Sequence, residues 1–247
     1  RRQRQMCIRD RIRLEECDST NTYLSKIARE SSHGTVVITT TQTAGRGQRG
    51  NSWEAEPGKN LTFSLLLKPE NVAAHDQFYI SEAVALGIAD ALRHYLDGFP
   101  VSVKWPNDIY VGDRKICGIL IENSLSGNTI GHSIAGIGIN VNQSEFKSDA
   151  PNPVSAVMLT GKELLLDEVL TEVINAVYRR LSQSLDLRHA DYMEALWRRD
   201  GGNYRDAATG EEFSAVITGV APTGHLSLLD SLGNTHTYAF KEVTALL

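Results

Sequence analysis

The amino-acid sequence predicts an α+β fold: a mixed, mainly antiparallel sheet with helices, followed by a small β-barrel. Three observations predict it. Short β-branched runs dominate the first two thirds of the chain, several of them separated only by tight turns. Amphipathic helical stretches interrupt them without the strict strand–helix alternation of a parallel fold. After residue 198 the pattern changes to four or five short strands parted by turns such as Pro222-Thr223-Gly224 and Leu232-Gly233-Asn234.

Taken in order, Ile12 and Leu14 alternate with charged residues as on an edge strand. Six arginines stand in the first thirteen residues (Arg1, Arg2, Arg4, Arg9, Arg11 and Arg13). A basic nucleic-acid arm is conceivable, and a strand with a solvated basic lead-in is preferred. Asp18-Ser19-Thr20-Asn21 has N-cap character ahead of Leu24, Ile27 and Ala28, the buried stripe of a short helix. Residues 36–41 and 60–68 read as buried strands on either side of a glycine-rich interruption. A long helix over about 76–96 carries Ile80, Val84, Ile88, Ala91, Leu92 and Tyr95 on one face.

Four extended runs follow at 101–105, 109–111, 115–122 and 130–141. Gly112-Asp113 and Ser126-Gly127-Asn128 separate the last three, which predicts antiparallel hairpins. Residues 151–162 are expected to be irregular, 167–185 helical, and roughly 191–198 a final short helix. These elements divide the chain into a larger domain, 1–198, and an SH3-like domain, 199–247.

Composition excludes several classes of function. The chain has 247 residues, 41% of them apolar, and 25 Lys+Arg against 30 Asp+Glu give a formal charge of −5. That balance argues against a protein that coats duplex nucleic acid, which needs a surplus of cations. Cys7, Cys17 and Cys117 are odd in number and contain no C-x-x-C, so a reducing, cytoplasmic setting is expected. The apolar runs are far shorter than a membrane helix needs, and no apolar stretch of signal-peptide type follows the basic start. The seven histidines show no ligand spacing, and a metal site built by the protein is not expected. With no G-x-S-x-G and no basic partner evident for Cys117, covalent nucleophilic catalysis lacks a candidate.

Four constellations could carry chemistry. Gly45-Arg46-Gly47-Gln48-Arg49-Gly50 matches G-x-G-x-x-G, yet it leads through Trp53 and Pro57-Gly58 into another strand, so the dinucleotide fingerprint fails on context. What remains is a loop whose backbone can approach a ligand and whose arginines can pair with anionic oxygens; an exposed basic loop is the alternative. Trp53 either caps a ligand or anchors the loop. In Lys104-Trp105-Pro106-Asn107-Asp108 the proline ends a strand and throws Asn107 and Asp108 into a turn. That is ordinary turn chemistry, and Lys104 is either a site lysine or a surface one. Lys115, three residues before Gly118, can touch a small ligand or simply keep a hairpin end soluble. Gly136 and Gly138, at period two inside an apolar strand ending in Asn140, make room for a flat ligand or for a closely packed helix.

Together and in this order, Asp18-Ser19-Thr20-Asn21, the stretch from Gln42 through Gly50 with Trp53, Lys104-Trp105-Pro106-Asn107-Asp108, Lys115 with Gly118, and Gly136-Ile137-Gly138-Ile139-Asn140 closely resemble biotin protein ligases. The resemblance covers nearly the whole chain. It implies the class II synthetase-like catalytic fold of biotin and lipoate ligases and a two-step reaction. Biotin and MgATP give biotinyl-5′-AMP, and the biotinyl group then passes to a lysine of a biotin carboxyl carrier domain.

By the same resemblance, Ser19, Thr20, Asn21 and Gln42 contact biotin, Gly118 and Gly136 leave room for its bicycle, and Lys115 stands between carboxylate and α-phosphate. Gly45, Arg46, Gly47, Gln48 and Arg49 form a flap over phosphate, and Trp53 belongs to a hydrophobic lid. Lys104, Asn107 and Asp108 shape the phosphate and metal region, Asn140 lies on the nucleotide side, and Gly138 is a further binding residue. Mg²⁺ arrives with ATP. Many relatives carry basic residues at Gln48 and Asn51, so this flap offers fewer cations. With the first motif only 18 residues in, no winged-helix DNA-binding domain is expected; a homodimer is plausible for the family. The rivals are a lipoate or octanoate ligase or transferase of the same fold, a peptide-binding adaptor, and a biotin sensor without turnover.

Overall fold

Strand β1 (Arg11–Cys17) runs parallel to β2 (Val36–Gln42), in register from Arg11↔Val36 to Cys17↔Gln42. The computed structural model to which these strands belong describes residues 10–45, 47, 53–148 and 152–247. They separate into two compact units. One comprises the chain up to Ala74 together with Cys117–Leu166; the other comprises His75–Ile116 and Asp167–Leu247. The arginines before Asp10, and Cys7, lie outside the described residues.

In the first unit β2 pairs antiparallel with β3 (Leu61–Leu67), β3 with β7 (Thr129–Ile139), and β7 with β6 (Arg114–Ser126), whose first three residues belong to the second unit. The spatial order β1-β2-β3-β7-β6 is the mixed, mainly antiparallel arrangement expected. β3 is buried throughout, as its nearly unbroken apolar run requires. Between β1 and β2 stands helix α1 (Thr20–Ile27). Its Leu24, with Ala28, seals against Val37, Leu66 and Ile134, and the alternating Ile12 and Leu14 of β1 pack on the same cluster. Ser19 takes the N-cap position, though its side chain makes no capping hydrogen bond.

The second unit is built around α2 (Phe78–Tyr95), against which α4 (Leu166–Leu181), α5 (Leu185–Ala195) and the hairpin β4 (Val101–Lys104)–β5 (Asp108–Val111) are arranged. Every residue from Ile80 to Ala89 is buried, Ser81 and Glu82 included, so α2 is a core helix and not the one-faced helix its periodicity suggests. The C-terminal strands β8 (Gly202–Asp206), β9 (Glu212–Val220), β10 (Leu226–Asp230), β11 (Thr235–Tyr238) and β12 (Val243–Ala245) form a five-stranded antiparallel sheet, order β11-β10-β9-β8-β12.

Two stretches differ from expectation. Within 151–162, Ala156–Thr160 forms helix α3: Ser155 Oγ accepts the Met158 N–H, and Gly161 at φ +70° closes the turn, local capping that outweighs weak periodicity. The helix expected over 167–185 stops at Leu181, and α5 begins at Leu185, well before residue 191. The inward stripe of α5 is Arg188 and Tyr192, and a buried arginine is invisible to a search for apolar spacing. No helix among the described residues is long and apolar enough to cross a membrane.

Gly87 shows how tightly α2 is held. A Cβ built there would lie 2.5 Å from Val177 Cα and 2.6 Å from its nitrogen, backbone atoms of α4 that cannot swing aside. Gly87→Ala, ordinarily favourable in a helix, should instead cost about 1–3 kcal/mol through overpacking. The urea midpoint checks this: a midpoint at or above that of the parent would contradict such close packing.

Candidate functional site

In the first unit the polar residues of the first motif meet the bare strand of the last. Ser64, lone serine of the apolar β3, is fully buried and lies opposite Gly136 in the ladder. Its hydroxyl is shared between Thr20 Oγ1 at 2.7 Å and Asn21 Oδ1 at 2.5 Å. Asn21 Nδ2 donates to Glu122 Oε2 at 2.7 Å and to the Leu120 carbonyl at 3.3 Å. Gln42 Oε1 accepts from the Thr20 N–H at 2.9 Å and from its hydroxyl at 3.2 Å. Ser19, Thr20 and Asn21 are all buried, so this is an ordered cluster of hydroxyls and amides at the foot of α1.

The paired glycines now have a physical reason. A Cβ at Gly136 would sit 2.9 Å from Asn21 Cγ, and one at Gly138 only 2.7 Å from Trp53 Cζ2. The bare surface therefore receives a side chain from the foot of α1 and an indole, with Gly118 directly opposite Gly138 extending it onto β6. Trp53 is set by its N–H donating to the Gly45 carbonyl at 3.3 Å, where both ends of the glycine–arginine loop meet. Gly47 is described; Arg46, Gln48, Arg49, Gly50, Asn51 and Ser52 lie outside the described residues. Asn140, buried at the end of β7, gives Nδ2 to the Val154 carbonyl at 3.1 Å. Its Oδ1 is buried and has no hydrogen-bond partner among the described residues.

The second unit holds Lys104 and Lys115. Lys115 Nζ is 2.6 Å from Asp108 Oδ2, both side chains about a third exposed (32% and 28%), so the pair stays reachable from solvent. Lys104 is no ordinary surface lysine. Its Nζ donates to Tyr110 Oη at 3.2 Å and stands over the Tyr110 and Trp197 rings at 4.9 and 5.2 Å. Burial pushes its ammonium below the usual lysine value; Lys115 and Arg198 act the same way, and Asp108 opposes them. Asn107 is buried, its Nδ2 donating to Ser81 Oγ at 3.0 Å.

Ser64 and Glu122 were invisible as site residues. A single serine in a buried run, opposite a glycine, was the available signal, and only the ladder register makes it legible. Gly138→Ala should displace the Trp53 indole, lowering stability by about 1–3 kcal/mol and shifting tryptophan emission. Unchanged emission together with an unchanged urea midpoint would contradict the contact.

Residues 14–140 match the biotin/lipoate A/B protein ligase family. The chain is 32% identical over 229 residues to a biotin–[acetyl-CoA-carboxylase] ligase of Paracoccus denitrificans, covering 89% of this chain and 94% of that one. It is 29% identical over 222 residues to the bifunctional ligase/repressor BirA of Bacillus subtilis, with 83% of this chain matched, and spans 65% of that relative's length. Among solved structures, the biotin protein ligase of Aquifex aeolicus in complex with biotin and ATP superimposes with a TM-score of 0.77 at 27% identity, over 96% of this chain and 99% of that one. With its polar α1 foot, its glycine-floored sheet and its lysine-bearing turn, the chain belongs to the biotin/lipoate A/B protein ligase family.

Proposed function

We propose that this chain is a biotin protein ligase that joins biotin to AMP at the expense of MgATP and then transfers the biotinyl group to a lysine of a biotin carboxyl carrier domain. The observation that carries this reading is the division of labour between two groups of side chains. The cluster of Thr20, Asn21, Gln42 and Ser64 is neutral at its centre and offers both donors and acceptors. That suits a cyclic urea, which brings two N–H donors and one carbonyl, and it offers no cation to hold a phosphate. Lys104, Lys115 and Asp108 have the opposite character, two ammonium groups and a carboxylate suited to a polyanion and its counter-ion.

In the first step a biotin carboxylate oxygen attacks the α-phosphorus, a P–O bond forms, and the bond to the departing diphosphate breaks. Two anions must approach each other, so fixed positive charge is what the site has to supply. Lys115 neutralises the reacting oxygens once its ammonium leaves Asp108 for the phosphate. Arg46 and Arg49 close over the nucleotide and exclude water from the mixed anhydride. Among the described residues no group of three His, Cys, Asp or Glu could hold a metal. The magnesium arrives as part of the substrate MgATP, where it screens phosphate charge. Asn140, whose buried Oδ1 has no hydrogen-bond partner among the described residues, serves the nucleotide.

In the second step the carrier lysine attacks the acyl carbon and AMP departs. Asp108, freed from Lys115, accepts the amine proton. The cysteines, three in number and without a C-x-x-C, suit a cytoplasmic location.

The test is biotin-dependent exchange of labelled diphosphate into ATP. The parent chain should exchange with biotin and not with lipoate; stimulation by lipoate alone would overturn the substrate. Lys115→Ala should lose about a hundredfold or more of the rate while keeping its urea midpoint, because this partly exposed ion pair contributes little to stability. A mass gain on an added carrier domain checks the transfer, and its absence beside normal exchange would refute the second step.

A further inference from the structure

Each residue of the Lys104–Asp108 turn is held by a different neighbour, and two of the holders come from helices that carry none of the expected site residues. Trp105 Nε1 donates to the Gly224 carbonyl at 3.0 Å. The Pro106 carbonyl accepts from Tyr192 Oη of α5 at 2.7 Å. Asn107 Nδ2 reaches Ser81 Oγ of α2 at 3.0 Å. Tyr192 is completely buried, its ring edge-on to Phe78 at 5.5 Å, so its hydroxyl has no water to turn to.

The two helices are themselves tied together at this point. Glu82, next to Ser81, is fully buried and meets His189 Nδ1 at 2.7 Å; His189 precedes Tyr192 by one turn of α5 and shares its face. Farther along, Arg180 of α4 bridges Asp90 of α2 and Asp191 of α5. Burial lifts the Glu82 carboxyl above its usual range, with the His189 hydrogen bond acting against it. Such a buried, partly satisfied carboxyl costs stability, and burying a large apolar side chain there would serve packing better. Its geometry makes sense as a means of fixing the separation between Ser81 and Tyr192.

We propose that Tyr192 and Ser81 are positioning residues for nucleotide use: they clamp the Pro106 carbonyl and the Asn107 amide, and so orient the Lys104 ammonium and Asp108 carboxylate on either side. Neither touches substrate. The clamp rests on the ligase reading above, since it matters only if this turn handles the phosphates.

Tyr192→Phe and Ser81→Ala each remove one oxygen, from different helices, and are examined in the full chain by diphosphate exchange. Each should raise KM for ATP roughly tenfold, the scale of leaving one buried group without its partner, with KM for biotin unchanged. Val177→Ala, a cavity in the same core that does not touch the turn, serves as the control: it should lower the urea midpoint and leave KM for ATP alone. Should Tyr192→Phe fail to fold, Ser81→Ala decides. An active parent whose variants keep its KM for ATP overturns the clamp and spares the ligase assignment. So does a KM rise shared equally by Val177→Ala. A parent without biotin-dependent exchange overturns both.

Discussion

Where β7 lacks side chains, the rest of the first unit's site has been arranged to fit. Gly136 and Gly138 leave two consecutive same-face positions empty, and glycine weakens a strand interior. The weakness is tolerable because β7 lies between β3 and β6, with ladder bonds on both sides. Asn21 and the Trp53 indole occupy the space so released. Neither could be there if β7 carried even methyl groups. Asn21 is then oriented by Ser64 on one side and Glu122 on the other, which fixes which end of its amide faces which neighbour. A polar cluster of this kind is tolerable in a core because its hydrogen bonds are made before any ligand arrives.

The lysine-bearing turn of the second unit solves a different problem. Two ammonium groups close together repel, and the structure handles each differently. Lys115 keeps a carboxylate partner and access to water, whereas Lys104 is half-buried over two aromatic faces whose quadrupoles accept positive charge. One lysine thereby stays reachable from solvent and the other is held against rings, a distinction that no sequence pattern expresses.

Much of the fold was legible because apolar spacing and turn chemistry agree with burial. Val36, Val37 and Leu24 are buried where their spacing places them, and the Gly112-Asp113 and Gly127-Asn128 turns fall between strands as their composition demands, Ser126 being the last residue of β6. The site was legible as motifs whose members could not be assigned contacts. Lys104 stayed ambiguous because its environment is made by Tyr110 and Trp197, one of them far away in sequence. Ser64, Glu122, Ser81 and Tyr192 escaped because their part is to hold other residues, and such roles depend on register and helix packing. α3 escaped because two caps, and not a stripe, define it.

The Trp105 indole binds the Gly224 carbonyl and meets the Phe240 ring edge-on at 5.8 Å, and both partners lie in the C-terminal 50 residues, outside the strands of that sheet. The loops that border β10 and β11 are therefore part of the wall behind the lysine turn. Shortening the protein at residue 198, or grafting a foreign C-terminal module in its place, would leave that indole's donor and one ring face without partners. Any chimaera that exchanges this module must bring equivalents of Gly224 and Phe240 with it.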